Sequence, residues 1–195
     1  TRLTRGLIEV KLEWERMLDQ VTLNTYAAGD VIKIGPYTVE PYHVCHSIPD
    51  TVGLGITTPA GLIVHSGDFK FDHTPVDNKP TDHVKLAEFS SRGVLMLMSD
   101  STNADQPGHT PSEAVLDDAF HQIMREAPGR LIVATFASLI SRVQQVVDVA
   151  IRHNRKIAIA GRSMVENTQM ARELGYLDIP DDMLVTVAES KNLPD

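Results

Sequence analysis

The sequence predicts an α/β fold in which two architectures follow one another along the chain. Residues 1 to about 20 place apolar side chains at helical spacing, and Gly29 then breaks the pattern. Short β-rich runs follow from Val31 to Ser66, as expected for a mainly antiparallel layer. Beyond residue 112, strand patterns alternate with helix patterns, which predicts βαβ units and a parallel sheet.

The β-rich runs of the first half are separated by turn-forming residues. Pro59-Ala60-Gly61 predicts a tight hairpin, because proline and glycine supply the restricted and left-handed backbone angles of a turn. Val94 to Met98 predict a buried strand that ends shortly before Asp100. The runs assigned to the antiparallel layer are VIKI, YTVEPYHV, TVGLGITT and GLIVHS.

The second half is predicted to begin with a helix that follows Ser112 and runs to about Glu126, with acids early in the helix where its dipole favours them. The change of pattern predicts a boundary between residues 105 and 112, and we divide the chain into residues 1–108 and 109–195. The elements expected after Glu126 are strand LIVATF, helix ISRVQQVVDVAIRH, strand KIAIA, helix VENTQMARELG and a final strand MLVTV.

Composition and charge limit the classes of function. The 195 residues contain no stretch of about 18 to 20 apolar residues, and the charged amphipathic start does not resemble a signal peptide, so a soluble cytoplasmic protein is expected. The single cysteine, Cys45, fits a reducing compartment. The net charge of −8 disfavours a broad basic surface, so any RNA contact must be local. The chain starts on Thr1 within a predicted helix, and both ends are expected to be cut.

Metal-ligand side chains follow two of the predicted strands, in the segments YHVCHSIPD and VHSGDFKFD. Imidazole and carboxylate are zinc ligands, and His46 with Asp68 is the best pair. Gly67 permits a close backbone approach beside Asp68. A hydrogen-bonded surface pair is the alternative. His43 and His65 precede the pair by three positions each, where they would be core histidines or would bond to the metal-bound side chains.

Several motifs, in this order, resemble those of the metallo-β-lactamase/β-CASP ribonucleases of the ribonuclease J type. The resemblance covers nearly the whole chain. It implies part of a metallo-β-lactamase αββα domain followed by part of a β-CASP domain with a parallel βαβ sheet. The motifs are TRLTRGLIEVKLE, HSIPD, HSGDFKFD, SDSTNADQPGHTPSE, ATFAS-x-x-SRVQQV and GRSM.

The resemblance implies a role for each matching residue. His46 would be a ligand of one zinc ion, and Asp68 would bridge two. Asp100 would orient groups of the site, with a turn cap formed with Ser101 and Thr102 as the alternative. The implied activity is 5′-to-3′ exonuclease and endonuclease cleavage of single-stranded RNA by a metal-bound hydroxide, in RNA maturation and decay. Manganese or magnesium could replace zinc, and homodimers or homotetramers and RNA-decay protein partners are implied.

Two strand-to-helix turns of the second half are candidate phosphate contacts. Free N–H groups at a helix start attract anions, and Ser138, Ser163 and the charged Arg162 stand at such turns. In the family, the β-CASP domain holds the RNA backbone. Simple helix caps are the alternative. Leu139 departs from the polar residue that commonly follows FAS in the family.

The largest departure from the family is the absence of the H-x-H-x-D-H motif, which would supply the other zinc ligands. The isolated chain is therefore expected to be inactive and to bind zinc weakly. Two other classes of function remain open: a different hydrolase of the metallo-β-lactamase fold, and a non-catalytic RNA-binding or subunit-contact module.

Overall fold

The computed structural model describes residues 1–193, which fold into two compact units. The first unit contains Thr1–Arg2 and Leu23–Ser112, and the second contains Leu3–Thr22 and the residues from Glu113 onward. The α/β class predicted from the sequence is confirmed. The assignment of residues 1–108 and 109–195 to two family domains stays a prediction. Across residues 1–193, every helix is too short or too polar to cross a bilayer.

The first unit is built on a five-stranded sheet with the strand order β1-β2-β3-β4-β5. Neighbouring strands from β1 to β4 pair antiparallel, while β5 pairs parallel with β4 after a crossover through helix α2. The mainly antiparallel layer is therefore confirmed. The elements are β1 (Ile32–Ile34), β2 (Tyr37–His43), β3 (Val52–Thr58), β4 (Gly61–His65), α2 (His83–Arg92) and β5 (Val94–Met98).

The turn between β3 and β4 is the hairpin predicted at Pro59-Ala60-Gly61. The Thr58 hydroxyl accepts hydrogen bonds from the backbone N–H groups of Ala60 and Gly61, at 3.1 and 3.2 Å. Thr58 pairs with Gly61 at the end of the ladder. The turn fixes the register of β4, and with it the position at which β4 ends.

The core of the first unit is centred on Phe89, which α2 places against the sheet. Phe89 is 1% exposed and clusters with the buried side chains of Tyr42, Val44, Leu62 and Val64. Its ring meets the Tyr42 ring nearly edge to face, with centroids 5.7 Å apart. A Cβ atom on Gly55 would lie 2.3 Å from the tip of the Phe89 ring, so only glycine allows the ring this close to β3.

An ion-pair network ties β2 to α2. The Glu40 carboxylate accepts hydrogen bonds from Lys85 Nζ at 3.0 Å and from Arg92 at 2.7 Å. Burial by itself would raise the pKa of Glu40, but the Arg92 and Lys85 contacts outweigh it and hold that pKa below its ordinary value. Both cations also lie over the Phe89 ring, at 5.1 and 5.4 Å from its centroid.

The prediction that Val94–Met98 is a buried strand is wrong in one respect. The strand forms, but all five of its residues are exposed, from 39% at Val94 to 65% at Leu97. The reason is its position: β5 is the edge of the sheet and pairs only with β4. Apolar runs are typical of strands that are covered on both faces. Among residues 1–193, the side chains on both faces of β5 remain exposed.

The second unit combines helices with a small parallel sheet. Strands β6 and β7 pair parallel, and α5 lies between them in sequence, which confirms a βαβ unit. Helices α3 and α4 pack through a cluster of Met124, Val149 and Ala150. The elements are α1 (Arg2–Trp14), α3 (Val115–Glu126), α4 (Ile140–Arg152), β6 (Ile157–Ala158), α5 (Arg162–Glu173), β7 (Leu184–Val185) and α6 (Val187–Ser190).

Several predicted elements of the second unit differ from those observed. LIVATF, residues 131–136, forms no strand, and Ile132 is 92% exposed. An extended segment becomes a strand only when a neighbour pairs with it, and β6 and β7 pair with each other. The KIAIA and MLVTV runs form strands of two residues each, and α6 begins where the second was expected to continue.

The helix boundaries also move. Helix α1 ends at Trp14 rather than near residue 20, and α3 begins at Val115, two residues later than predicted. Glu113 forms a salt bridge with Arg142 of α4, so its carboxylate stabilises the contact between two helices. Helix α5 begins three residues earlier than predicted, at Arg162.

Candidate metal centre

Three segments that carry candidate site residues leave the first unit's sheet at the same end, where β2, β4 and β5 finish. Strands β2 and β4 run in the same direction, because each pairs antiparallel with β3, and β5 is parallel to β4. His46, Asp68 and Asp100 follow the carboxyl ends of β2, β4 and β5 by two or three residues each. The sheet topology therefore brings together residues that are 54 positions apart in the sequence.

Hydrogen bonds join the three segments. The Lys70 backbone N–H donates to the Cys45 carbonyl at 2.8 Å, which ties the loop after Asp68 to the residue before His46. The Ser66 hydroxyl accepts from the Asp100 backbone N–H at 2.8 Å, and the Ser66 backbone N–H donates to the Met98 carbonyl at 2.9 Å. These bonds fix the backbone on which all three candidate side chains stand.

The Asp100 carboxylate lies between the other two segments. The Thr102 backbone N–H, 2.9 Å from Asp100 Oδ1, is the main reason that the pKa of Asp100 lies below its ordinary value. The Thr102 side chain, the Phe69 backbone N–H and the nearby His46 ring lower it further. The turn cap expected as the alternative is thus present, and His46 lies within electrostatic range of the same carboxylate. Asp100 is ionised at neutral pH.

Gly67 shapes the approach to Asp68. Its φ of +63° lies in the left-handed region, and a Cβ atom there would lie 2.8 Å from the Val52 carbonyl oxygen. The close backbone approach predicted for this glycine is confirmed. Any other residue would push the Asp68 loop away from β3.

Replacing Gly67 with alanine should lower the free energy of unfolding by about 3 kcal/mol, because left-handed backbone strain adds to a clash with a backbone atom. Urea unfolding followed by circular dichroism measures the loss. Gly29→Ala is the matched control: its φ is +91° and no atom lies within 4 Å of the added carbon. It should cost about 1 kcal/mol, from backbone strain alone. Equal losses in both variants would show that the Val52 contact does not constrain the loop.

His43 and His65 hydrogen-bond to backbone atoms of nearby loops. His43 Nε2 lies 3.0 Å from the Lys79 carbonyl oxygen, and His65 Nδ1 accepts from the Gly67 N–H at 3.0 Å. The His65 bond fixes the first residues after β4, one position before Asp68. The expected role of both histidines, beside the metal-bound side chains, stays a prediction.

The donor types fit zinc, but their number does not complete a site. Imidazole and carboxylate are ordinary zinc ligands, and such sites need at least three protein ligands. Among residues 1–193, no group of three or more His, Cys, Asp or Glu side chains is placed to hold a metal ion. Burial of Cys45, helped by the charge of Asp72, raises the pKa of its thiol. His46 and Asp68 therefore form at most part of a metal centre.

The predicted phosphate contacts of the second unit lie at two helix starts. Ser138 lies two residues before α4, while Arg162 and Ser163 are the first two residues of α5. Neither helix has a side-chain cap at its start. The alternative expectation, simple helix capping, is therefore wrong for both serines.

The Arg162 side chain is 71% exposed, and it pairs with Glu166 at 3.1 Å. Its guanidinium also lies 4.6 Å from the centre of the Trp14 ring. These contacts orient the charge at the start of α5 and leave most of its surface accessible. A phosphate role for the arginine stays a prediction.

Sequence reasoning overlooked Ser66, Phe71 and His83 beside the candidate centre. Ser66 links two of the three segments, and nothing in the sequence distinguishes it from other serines. Phe71 could have been noticed, since an apolar ring in a polar loop directly after a candidate ligand is unusual. The contact of Phe71 with His83, twelve residues later, could not.

Comparisons with known proteins decide the family. A model of the β-CASP domain of ribonuclease J matches residues 128–195. Ribonuclease J from Synechocystis is 44% identical over 195 residues, which is 100% of this chain and 30% of that protein. The chain belongs to the ribonuclease J family. The relative from Thermus thermophilus is also 44% identical, over 100% of this chain and 34% of its own length. That from Helicobacter pylori is 48% identical over 84% of this chain and 24% of its own length.

The chain thus spans about a third of the length of the curated ribonucleases J that it matches. Among solved structures, a protein of unknown function from Enterococcus faecalis has the same fold with a TM-score of 0.72. That match covers 100% of this chain and 50% of the other, at 15% identity, so it concerns the fold alone.

Proposed function

We propose that this chain contributes part of the catalytic centre of a zinc-dependent ribonuclease that hydrolyses RNA in maturation and decay. One observation carries the proposal: three strands of a sheet end at one edge, with His46, Asp68 and Asp100 following them, in a chain of the ribonuclease J family. A structural hydrogen-bonding cluster would have no need of a metal-ligand type after each strand.

His46 and Asp68 would hold zinc together with ligands from ribonuclease J sequence outside these 195 residues. Manganese or magnesium could take the place of zinc at these ligands. Bound zinc would supply Lewis acidity to the scissile phosphodiester.

The chain's own residues would orient the site. Asp100 is ionised, held by the N–H groups of Thr102 and Phe69, and His46 lies within electrostatic range of it. Its negative charge would favour a ring orientation in which a His46 N–H points toward the carboxylate and the other nitrogen is free to bind metal. Ser66 would keep Asp100 in place through its hydrogen bond to the Asp100 backbone.

The substrate would be single-stranded RNA, cleaved from the 5′ end and internally, in the cytoplasm. The start of α5 would bind RNA phosphates through its backbone N–H groups, Ser163 and the exposed Arg162, and Ser138 before α4 would add a hydroxyl. Homodimers or homotetramers and RNA-decay proteins are the proposed partners. The net charge of −8 favours such local contacts over a broad basic surface.

A chimaeric enzyme tests the function. These 195 residues would replace the matching segment of the Thermus thermophilus ribonuclease J, which is 44% identical over the whole chain. The chimaera should hydrolyse 5′-monophosphorylated single-stranded RNA, lose activity with a chelator and regain it with zinc. A chimaera that folds, as judged by circular dichroism and gel filtration, but is inactive with both zinc and manganese would refute the proposal.

The isolated chain should show no measurable hydrolysis of the same RNA and should bind zinc no tighter than about micromolar, because two protein ligands do not close a tetrahedral site. Competition with a fluorescent zinc chelator measures the affinity. Turnover by the isolated chain that Asp68→Ala abolishes would show that residues 1–195 contain a complete site.

A further inference from the structure

Phe71 is an exposed aromatic side chain close to the candidate metal centre. It is 55% exposed and lies three residues after Asp68, within about 10 Å along the chain. Phe69, two residues earlier, packs against the buried core of the first unit. In this loop, Phe69 therefore packs against the core and Phe71 is exposed.

The backbone around Phe71 is fixed on both sides. The Lys70 N–H donates to the Cys45 carbonyl at 2.8 Å, and the buried Asp72 accepts a hydrogen bond from the Thr74 N–H at 3.0 Å. Ring contacts with Phe69 and His83 in the same unit still leave the Phe71 side chain 55% exposed. Its exposure costs hydrophobic free energy that a ligand could recover.

The Phe71 ring stacks on the ring of His83. The His83 ring, at the exposed start of α2, lies 29° from parallel with the Phe71 ring, with centroids 5.5 Å apart. The Phe69 ring also contacts the Phe71 ring, at an interplanar angle of 61° and with centroids 5.0 Å apart. His83 stacks on the Phe71 ring, and more than half of the Phe71 side chain is still exposed.

The neighbouring cations are already paired. Lys70 lies 3.8 Å from the buried Asp72, and Lys85 binds Glu40 and Glu88. A ligand that used this surface would therefore be held by ring stacking more than by charge. Planar aromatic rings are what the face of a phenylalanine accepts, and every nucleobase offers one.

We propose that Phe71, supported by His83 and Phe69, is a stacking platform for one base of an RNA strand whose phosphate reaches the His46, Asp68 and Asp100 centre. The inference rests on the proposed ribonuclease function and adds a base-contacting residue to it. Phe71 contributes affinity and the position of the strand, without preference for one base.

Fluorescence anisotropy with a short single-stranded RNA tests the platform on the 195-residue chain. Phe71→Leu should weaken binding about tenfold, and Phe71→Trp should preserve it, since one stacked base typically contributes that much. The loss should change little between low and moderate salt. Tyr37→Leu is the matched control: Tyr37 is 46% exposed but begins β2, about 20 Å along the strand from the end that carries the centre.

A photochemical readout separates binding from folding. RNA that carries 5-iodouridine should crosslink to Phe71 on irradiation, with the crosslinked peptide identified by mass spectrometry, and His83→Leu should reduce the yield. If the wild-type chain binds RNA and crosslinks elsewhere, with Phe71→Leu binding equally well, the platform is refuted and the ribonuclease proposal stands. If the wild-type chain binds no RNA, the platform is refuted as well, while the activity of the chimaera decides the proposed function separately.

Discussion

In the chimaeric ribonuclease J, Asp68→Ala should lower the rate of RNA hydrolysis about a thousandfold. A carboxylate that holds metal contributes several kcal/mol to the transition state, and each 1.36 kcal/mol corresponds to a factor of ten in rate. Asp68 lies three residues after the end of β4, and its loop is fixed by the Gly67 conformation and by the bond from Lys70 to Cys45. The variant should therefore remove the proposed ligand without moving His46 or Asp100.

Single-turnover hydrolysis of labelled RNA measures the loss, and zinc content by atomic emission shows whether metal is lost with it. Asp118→Ala is the matched control, since Asp118 is exposed on α3 in the second unit and lies outside the candidate centre. Retention of more than a tenth of the activity by Asp68→Ala would exclude a metal-bridging role for this residue.

Phe89→Ala should lower the free energy of unfolding by about 4 kcal/mol. The ring is 1% exposed and fills the space between α2 and the sheet, so truncation leaves a cavity in addition to the lost burial. Lys85 and Arg92 also lose the ring face over which they lie. Phe89 is not itself a candidate site residue, but it packs α2 against the sheet whose strands lead to His46, Asp68 and Asp100.

Urea unfolding provides the measurement, with the midpoint and the slope both recorded. Phe71→Ala is the matched control, because it makes the same truncation at a side chain that is 55% exposed. It should cost about 1 kcal/mol or less. Similar losses in the two variants would mean that the cluster around Phe89 does not determine the stability of the first unit.

Local sequence patterns predicted those features whose cause is local. The hairpin at Pro59-Ala60-Gly61 formed because threonine, proline and glycine specify it within four residues. The restriction at Gly67 was also predicted, although the atom that enforces it, the Val52 carbonyl, belongs to a neighbouring strand. The order of the motifs that resemble ribonuclease J indicated the family, and the similarity to known ribonucleases J confirmed it.

Features that depend on neighbours were predicted less well. Val94–Met98 has the apolar pattern of a covered strand, yet forms an exposed edge. LIVATF has a similar pattern and forms no strand at all. In both segments the apolar pattern favours a buried strand. The segment alone does not show whether other elements are present to pair with it or to cover it.

The sequence by itself determined the α/β class, the family and the identity of His46 and Asp68 as the candidate ligands, because strand period, turn chemistry and motif order are local properties. Only the tertiary structure decided that His46, Asp68 and Asp100 follow strands that end at the same side of the sheet, that Asp100 lies near His46, and that Phe71 stacks on His83. These relations join residues distant in sequence, and they follow from strand pairing and register, which the packing of the whole sheet selects.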